Sequence, residues 1–117
     1  MNGIKERIQI LKKLISAEGD PKQLETALKQ FSWDEEELVS LSKRHLKNVL
    51  DKVKKKQMTL KQLEEWANVV ELRDDINFET EEVLEMVYRL ANPLLINSSG
   101  DLHHIVQDLT SQLKKIN

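Results

Sequence analysis

The 117-residue chain is predicted to be all-α, a single compact bundle of five to six helices. Three observations predict this fold class. Apolar residues recur at steps of three and four along most of the chain, which is the period of a helix. No run of residues alternates apolar and polar side chains as a half-buried strand does. Only short polar breaks separate the helical segments, so residues 1–117 are predicted to form one helical domain.

The first two helices have clear boundary signals. The first is predicted from about Gly3 to Ala17 because Ile4, Ile8, Leu11 and Ile15 fall on one face. Gly19 is expected to end this helix by adopting the left-handed conformation. Asp20 and Pro21 should begin the second helix, since aspartate is a preferred N-cap and proline is tolerated at the first helical position. This helix is expected to end near Gln30.

The third helix is predicted to be the longest element. Ser32 and Glu35 have the spacing of a capping box, so the helix should begin there and continue to about Lys56. Its length would then be about 35 Å. His45 lies on its apolar side and is expected to be a hydrogen-bonded histidine at the core boundary.

The fourth and fifth helices are separated by an acidic segment. Thr59 and Gln62 predict a capping box for the fourth helix. Its apolar face includes Leu63, Ala67 and Val70. Trp66 of this helix and Trp33 are both expected in the core. Thr80 caps the fifth helix, whose apolar face is predicted to carry Val83, Leu84, Val87, Tyr88 and Ala91. Residues 71–79 show neither a helical nor a strand period and are predicted to be an ordered loop anchored by its apolar side chains.

The last helix follows the clearest loop of the sequence. Asn92-Pro93 ends the fifth helix, because the residue before a proline disfavours helical dihedrals. Asn97 to Gly100 is predicted to be a loop, with Ser99 or Asp101 as the next N-cap. The apolar face of the last helix consists of Leu102, Ile105, Val106, Leu109, Leu113 and Ile116.

The net charge of −2 conceals two strongly charged regions. Residues 43–61 carry eight cations against one carboxylate, a local charge of +7. Residues 62–86 carry nine carboxylates against the single cation Arg73, a local charge of −8. Such polarisation affects the choice of partners and not the fold.

Several function classes find no support in the sequence. The chain has no cysteine, no glycine-rich phosphate loop and no Gly-x-Ser-x-Gly turn, so it is not expected to be an enzyme and no cofactor is expected. No metal is expected either, because Asp74 to Asn77 lacks the glycine and the spacing of a calcium loop, and His104 with Asp108 supplies two zinc ligands at most. No apolar run is long enough to span a membrane, and a cytoplasmic location is predicted.

The acidic segment is the predicted binding surface for a protein partner. Carboxylates that could steer a basic partner alternate there with apolar side chains that could anchor it. The predicted contact residues are Glu71, Leu72, Asp74, Asp75, Ile76, Phe78, Glu79 and Glu82. The plain alternative is that the acids form a solvated helix face and that Leu72, Ile76 and Phe78 only fix the loop to the core.

Two other function classes remain open. The basic residues 43–61 could bind nucleic acid as part of a regulator, although the adjoining acidic region would repel a duplex and lysines read bases poorly. Alternatively, the +7 and −8 regions of neighbouring chains could meet in a self-associating structural module. A homo-oligomer is therefore an open prediction.

Three segments resemble a known group of proteins. They are Leu60-Lys-Gln-Leu-Glu-Glu-Trp-Ala-Asn68, Arg73-Asp-Asp-Ile76 and Leu90-Ala-Asn-Pro93, and their order is similar to that in small all-helical bacterial immunity proteins of polymorphic or contact-dependent toxin systems. The resemblance covers about a third of the chain. It implies a non-enzymatic inhibitor that binds a cognate toxin domain and blocks its active site or substrate groove. The nuclease-colicin immunity proteins are a poorer match, because Tyr88 is followed by Arg-Leu and not by Pro-Asp.

Overall fold

A computed structural model describes residues 2–31, 37–92 and 102–114, and the side chains of residues 5–31, 37–92 and 104–113. The elements in chain order are helix α1 (Asn2–Ile15), helix α2 (Pro21–Leu28), strand β1 (Val39–Leu41), helix α3 (Lys43–Lys54), helix α4 (Leu60–Glu71), strand β2 (Ile76–Phe78), helix α5 (Glu81–Ala91) and helix α6 (Leu102–Lys114). The all-α fold class is confirmed, since the two strands are only three residues long.

The end of α1 differs from the prediction in one respect. Ala17, with a φ of 55°, occupies the left-handed position that follows the helix. Its N–H and that of Glu18 donate back to carbonyls of the last turn, which is the pattern that closes a helix C-terminus. Gly19, with a φ of 103°, is left-handed as predicted, but it turns the chain towards the N-cap Asp20 and does not end α1. The Asp20 side chain accepts from the N–H of Lys22 as expected.

The third helix is shorter than predicted, and this prediction was wrong. It begins at Lys43, because Ser42 and His45 form a capping box in which each side chain accepts from the other residue's backbone N–H. With 12 residues, α3 spans about 18 Å. The predicted cap Ser32, its partner Glu35, and Trp33 lie outside the described residues, as does the predicted loop Asn97–Gly100.

The prediction of an ordered loop without a strand across residues 71–79 was also wrong in part. Strand β2 pairs in parallel with β1, with Val39 opposite Ile76 and Leu41 opposite Phe78. The pairing is framed by further backbone bonds, because Asp75 O accepts from the N–H of Leu38 and the N–H of Glu79 donates to Leu41 O. Three-residue strands are too short to show alternation, and the partner strand lies more than thirty residues away.

The buried apolar side chains of the described residues form one core cluster. All six described helices, α1 to α6, contribute to it. Trp66 of α4 is the largest fully buried side chain, and its indole Nε1 donates to the carbonyl of Leu14 in α1 at 2.6 Å. The predicted capping box of Thr59 and Gln62 and the Thr80 cap are both present. Helix α6 buries the predicted residues Ile105, Val106, Leu109 and Leu113.

Candidate functional site

The eight predicted contact residues follow the chain from the end of α4, along β2, to the first turn of α5. Leu72, Asp74, Glu79 and Glu82 are exposed, and Glu71 is half-buried. We call these five residues the acidic face. Leu72 exposes 73 % of its surface, more than any other described large apolar side chain. The remaining three predicted residues, Asp75, Ile76 and Phe78, do not belong to this surface.

Asp75 is a structural residue and not a contact residue. It is only 1 % exposed and receives two arginines. Arg7 of α1 donates from Nε at 3.1 Å and from Nη2 at 2.9 Å to Oδ2. Arg73 donates from Nε to Oδ1 and from Nη2 to Oδ2, both at 2.8 Å. A carboxylate held in this way cannot steer a partner, so its assignment to the binding surface was wrong.

The charge state of Asp75 follows from these contacts. Burial acts to raise the pKa of this carboxyl, but the hydrogen bonds from Arg73 and Arg7, together with their positive charges, outweigh it and lower the pKa below the ordinary value of 3.8. Asp75 is therefore an anion at neutral pH, and it fixes the start of β2 to α1.

Ile76 and Phe78 are also unavailable to a partner as primary anchors. Ile76 is 4 % exposed in the core, and Phe78 is half-buried and packs against the core. Strand alternation explains this, because residues 76 and 78 point to the same side of β2. The plain interpretation therefore holds for these two side chains, which fix the segment to the core.

The predicted residues form two groups and not one tight cluster. At one end, the Asn92 side-chain amide donates to Glu71 Oε2 at 3.3 Å and to the carbonyl of Tyr88 at 3.0 Å, which joins Glu71 to the end of α5. At the other end, Glu82 pairs with Lys43 of α3 at 3.2 Å. Asp74 and Glu79 lie between these ends along the chain.

The charge of the acidic face is neutralised only in part by the described residues. Lys43 pairs with Glu82, and Arg73 is bound to Asp75, which is not part of the face. Among the described residues, none forms an ion pair with Asp74, Glu79, Glu81 or Glu85. Four exposed carboxylates therefore present negative charge to solvent along β2 and α5, in addition to the partly compensated Glu82.

Two exposed apolar residues of this region were missed. Leu84 and Tyr88 were predicted on the buried face of α5, but they are 41 % and 40 % exposed. The buried face instead consists of Val83, Met86, Val87, Leu90 and Ala91. The sequence did contain a signal for this exposure. Leu84 and Tyr88 share one side of the helix with the charged residues Glu81 and Glu85, and that side is expected to face solvent.

The described histidines have defined surroundings, which bear on whether they could hold a metal. His45 Nδ1 accepts from the N–H of Ser42 at 3.0 Å, and burial lowers the pKa of His45 below its ordinary 6.5, so it is the predicted boundary histidine. Asp108, the suggested partner of His104, is bound by Arg89 at 2.8 Å and by Gln112 at 3.1 Å. No group of three metal-ligating side chains occurs in the described part of the chain.

None of the described helices is both long and apolar enough to cross a bilayer. No family model, no curated protein and no solved structure matches this chain.

Proposed function

We propose that this protein is a non-enzymatic inhibitor that binds a protein partner through the acidic face, and that it is a cytoplasmic immunity protein of a bacterial toxin system. The observation that carries this proposal is the exposure of Leu72 two residues before Asp74, an exposed carboxylate that forms no ion pair with a described residue. An exposed leucine contributes little to the stability of the fold, whereas it contributes affinity when a partner covers it.

The chemistry of the partner follows from the charge of the surface. Asp74 and Glu79 are exposed and lack an ion pair within the described residues, so a basic surface would be attracted to them at long range. A toxin that acts on nucleic acid has a basic substrate groove. An acidic inhibitor is complementary to such a groove because its carboxylates take the places of substrate phosphates.

The test is capture of the partner followed by a functional assay. Tagged protein is expressed in its native host, and the lysate is divided into a nuclease-treated half and an untreated half before capture. The proposal expects one stoichiometric basic protein that is retained after nuclease treatment. When expressed alone, this protein should arrest growth, and co-expression of the inhibitor should restore growth.

A charge-reversed variant connects this activity with the acidic face. Asp74→Lys with Glu79→Lys should abolish both capture and rescue of growth while the protein stays folded, since both side chains are exposed. Glu6→Lys with Glu18→Lys makes the same charge change at exposed positions of the α1 region and serves as the matched control. Rescue by the first variant equal to that by the control would refute the proposed surface.

The rival function is nucleic-acid binding by the end of α3. Lys54, Lys55 and Lys56 are exposed there, which favours it. Capture that depends on intact nucleic acid, together with duplex or single-strand binding that is steeply salt-dependent and lost when these three lysines are replaced by glutamate, would replace the inhibitor hypothesis with this one.

A further inference from the structure

An open groove of ≈ 650 Å³ lies where the end of α3, the start of α4 and the middle of α6 meet. Its apolar floor consists of Val53, Met58, Leu60 and Val106. Met58 and Val106 are buried, and Val53 and Leu60 are partly buried against the core. Grooves of this kind between helices accept the apolar side of another helix.

The rim of the groove is basic. Lys54 and Lys56 are exposed at its edge, and no carboxylate is among the described residues that line it. Neither lysine forms an ion pair with another described residue. An occupant that presents apolar side chains flanked by carboxylates would therefore match both the floor and the rim.

The protein carries a helix surface with this pattern. Glu81, Leu84, Glu85 and Tyr88 occupy positions i, i+3, i+4 and i+7 of α5, so they share one side of the helix. We call them the α5 stripe. Leu84 and Tyr88 are two of the three large apolar side chains that are exposed in the described residues, and both glutamates are exposed.

We propose that the groove binds the α5 stripe of a second copy of this chain. Leu84 and Tyr88 would contact the apolar floor, while Glu81 and Glu85 would lie near Lys54 and Lys56. The contact joins two different surfaces, because the groove lies between α3, α4 and α6 whereas the stripe lies on α5. The stripe faces outward, since α5 packs its other side against α4 and α6. Such a heterologous contact adds chains head to tail, and it closes into a ring or continues as an open filament.

This contact is independent of the proposed inhibitor function. It uses neither Leu72 nor the carboxylates Asp74 and Glu79, and it needs no second protein. The Asp74→Lys, Glu79→Lys variant should therefore still self-associate, even though it fails to bind a toxin. Failure of one proposal leaves the other unaffected.

The experiment measures the weight-average mass of the purified protein by sedimentation equilibrium as a function of protein concentration. The groove variant is Lys54→Glu with Lys56→Glu, and the stripe variant is Glu81→Lys with Glu85→Lys. A third protein combines all four changes, which exchanges the two signs of charge. Lys12→Glu with Lys13→Glu, at exposed positions of α1, is the control.

The mass of the wild-type protein and of the control should rise with concentration at low salt and fall at about 1 M salt, where the Debye length is only about 3 Å. The groove and stripe variants should each associate at least about tenfold more weakly. The charge-exchanged protein should regain the wild-type dissociation constant within about threefold, because complementarity is restored. Circular dichroism and thermal unfolding confirm that each variant is folded.

A wild-type protein that stays monomeric at every concentration would overturn the proposal. Association that the groove and stripe variants leave unchanged would also overturn it, since the contact would then lie elsewhere. Failure of the charge-exchanged protein to recover, while it remains folded, would show that Lys54 and Lys56 do not meet Glu81 and Glu85.

Discussion

Asp75 joins two distant parts of the chain through its bonds to Arg7 and Arg73. The three side chains form a buried cluster in which two cations share one carboxylate. Removing one partner of a buried ion pair is costly because the other charge stays buried and loses that neutralising contact. Arg7 is itself 6 % exposed, so it cannot turn to solvent without disturbing α1.

We expect Asp75→Asn to lower the free energy of unfolding by about 3–5 kcal/mol, since the amide cannot neutralise the two guanidinium groups. Chemical denaturation at neutral pH measures this. Asp74→Asn, at the exposed neighbouring position, should change the free energy of unfolding by less than about 0.5 kcal/mol. Equal effects of the two substitutions would show that the buried cluster contributes nothing to stability.

His45 makes the stability of α3 depend on pH. Its Nδ1 accepts a backbone N–H in the capping box, so the neutral imidazole is the form that fits. Burial lowers the pKa of His45 below 6.5 in the folded protein. The contribution of the neutral ring is therefore complete above about pH 6.5, the unfolded pKa, and is lost as the pH falls through the lower folded pKa.

We expect His45→Gln to remove this pH dependence. Glutamine is a usual residue at this position of a capping box and accepts the same N–H without titrating. Thermal unfolding of both proteins between pH 7.5 and about 4.5 measures the difference, and that range remains above the window in which Asp75 is protonated. Parallel loss of stability in both proteins would exclude His45 as the titrating group.

At the residue scale, side chains whose environment is set locally were predicted correctly. Leu72 and Asp74 follow the last turn of α4, and both are exposed as the sequence suggested. The burial of Asp75 could not be predicted, because its partner Arg7 is 68 residues away and no local pattern connects them. Trp66 was predicted in the core because its size and its position on the apolar face left little choice.

At the scale of elements, the helix N-termini were predicted best. Asp20, Thr59 and Thr80 were all identified as caps because the signal lies within three residues of each of them. The β1–β2 pair and the start of α3 were missed for the opposite reason. Parallel pairing depends on segments brought together by the rest of the fold, and a histidine in a capping box is not part of the usual sequence signature.

Two helix ends adopt a left-handed residue that is not glycine, Ala17 after α1 and Lys56 after α3. This conformation costs about 1–2 kcal/mol for a residue with a Cβ atom. Lys52 compensates in part at the first site, because its Nζ donates to the carbonyls of Ser16 and Ala17. Among the described residues, no side chain makes such a contact with Lys56, whose own side chain is exposed.

We expect Lys56→Gly to raise the free energy of unfolding by about 0.5–1 kcal/mol, since glycine adopts a φ of 63° without strain. Lys54→Gly, two residues earlier within α3, should instead lower it by about 1 kcal/mol. Urea denaturation of the two variants measures both changes in the free energy of unfolding. Destabilisation by both substitutions would contradict a strained helix end at Lys56.

For the whole molecule, the fold class could be predicted because the helical period is repeated in six separate segments and errors in one boundary do not alter the class. The polarised charge could also be read directly, since it is a property of composition along the chain. The sequence could not predict which carboxylates form ion pairs. That depends on contacts between elements, such as Lys43 with Glu82 and Lys22 with Glu65.

The central claim is that the acidic face is a binding surface. Charge attraction and apolar contact would both contribute to its affinity, and the two contributions can be separated. Charge attraction is weakened by salt, whereas apolar contact is not. Asp74→Lys with Glu79→Lys and Leu72→Ser therefore address different contributions to the same interface. Leu72→Ser should leave the free energy of unfolding unchanged within about 0.5 kcal/mol, since the side chain is largely exposed.

The most direct test is the affinity of the captured partner for these variants, measured by titration calorimetry at low and high salt. The account predicts that charge reversal weakens binding by about 100-fold at low salt and much less at high salt, and that Leu72→Ser weakens it about tenfold at both. Affinities that equal the wild-type value for both variants at low salt would contradict the assignment of the acidic face as the binding surface.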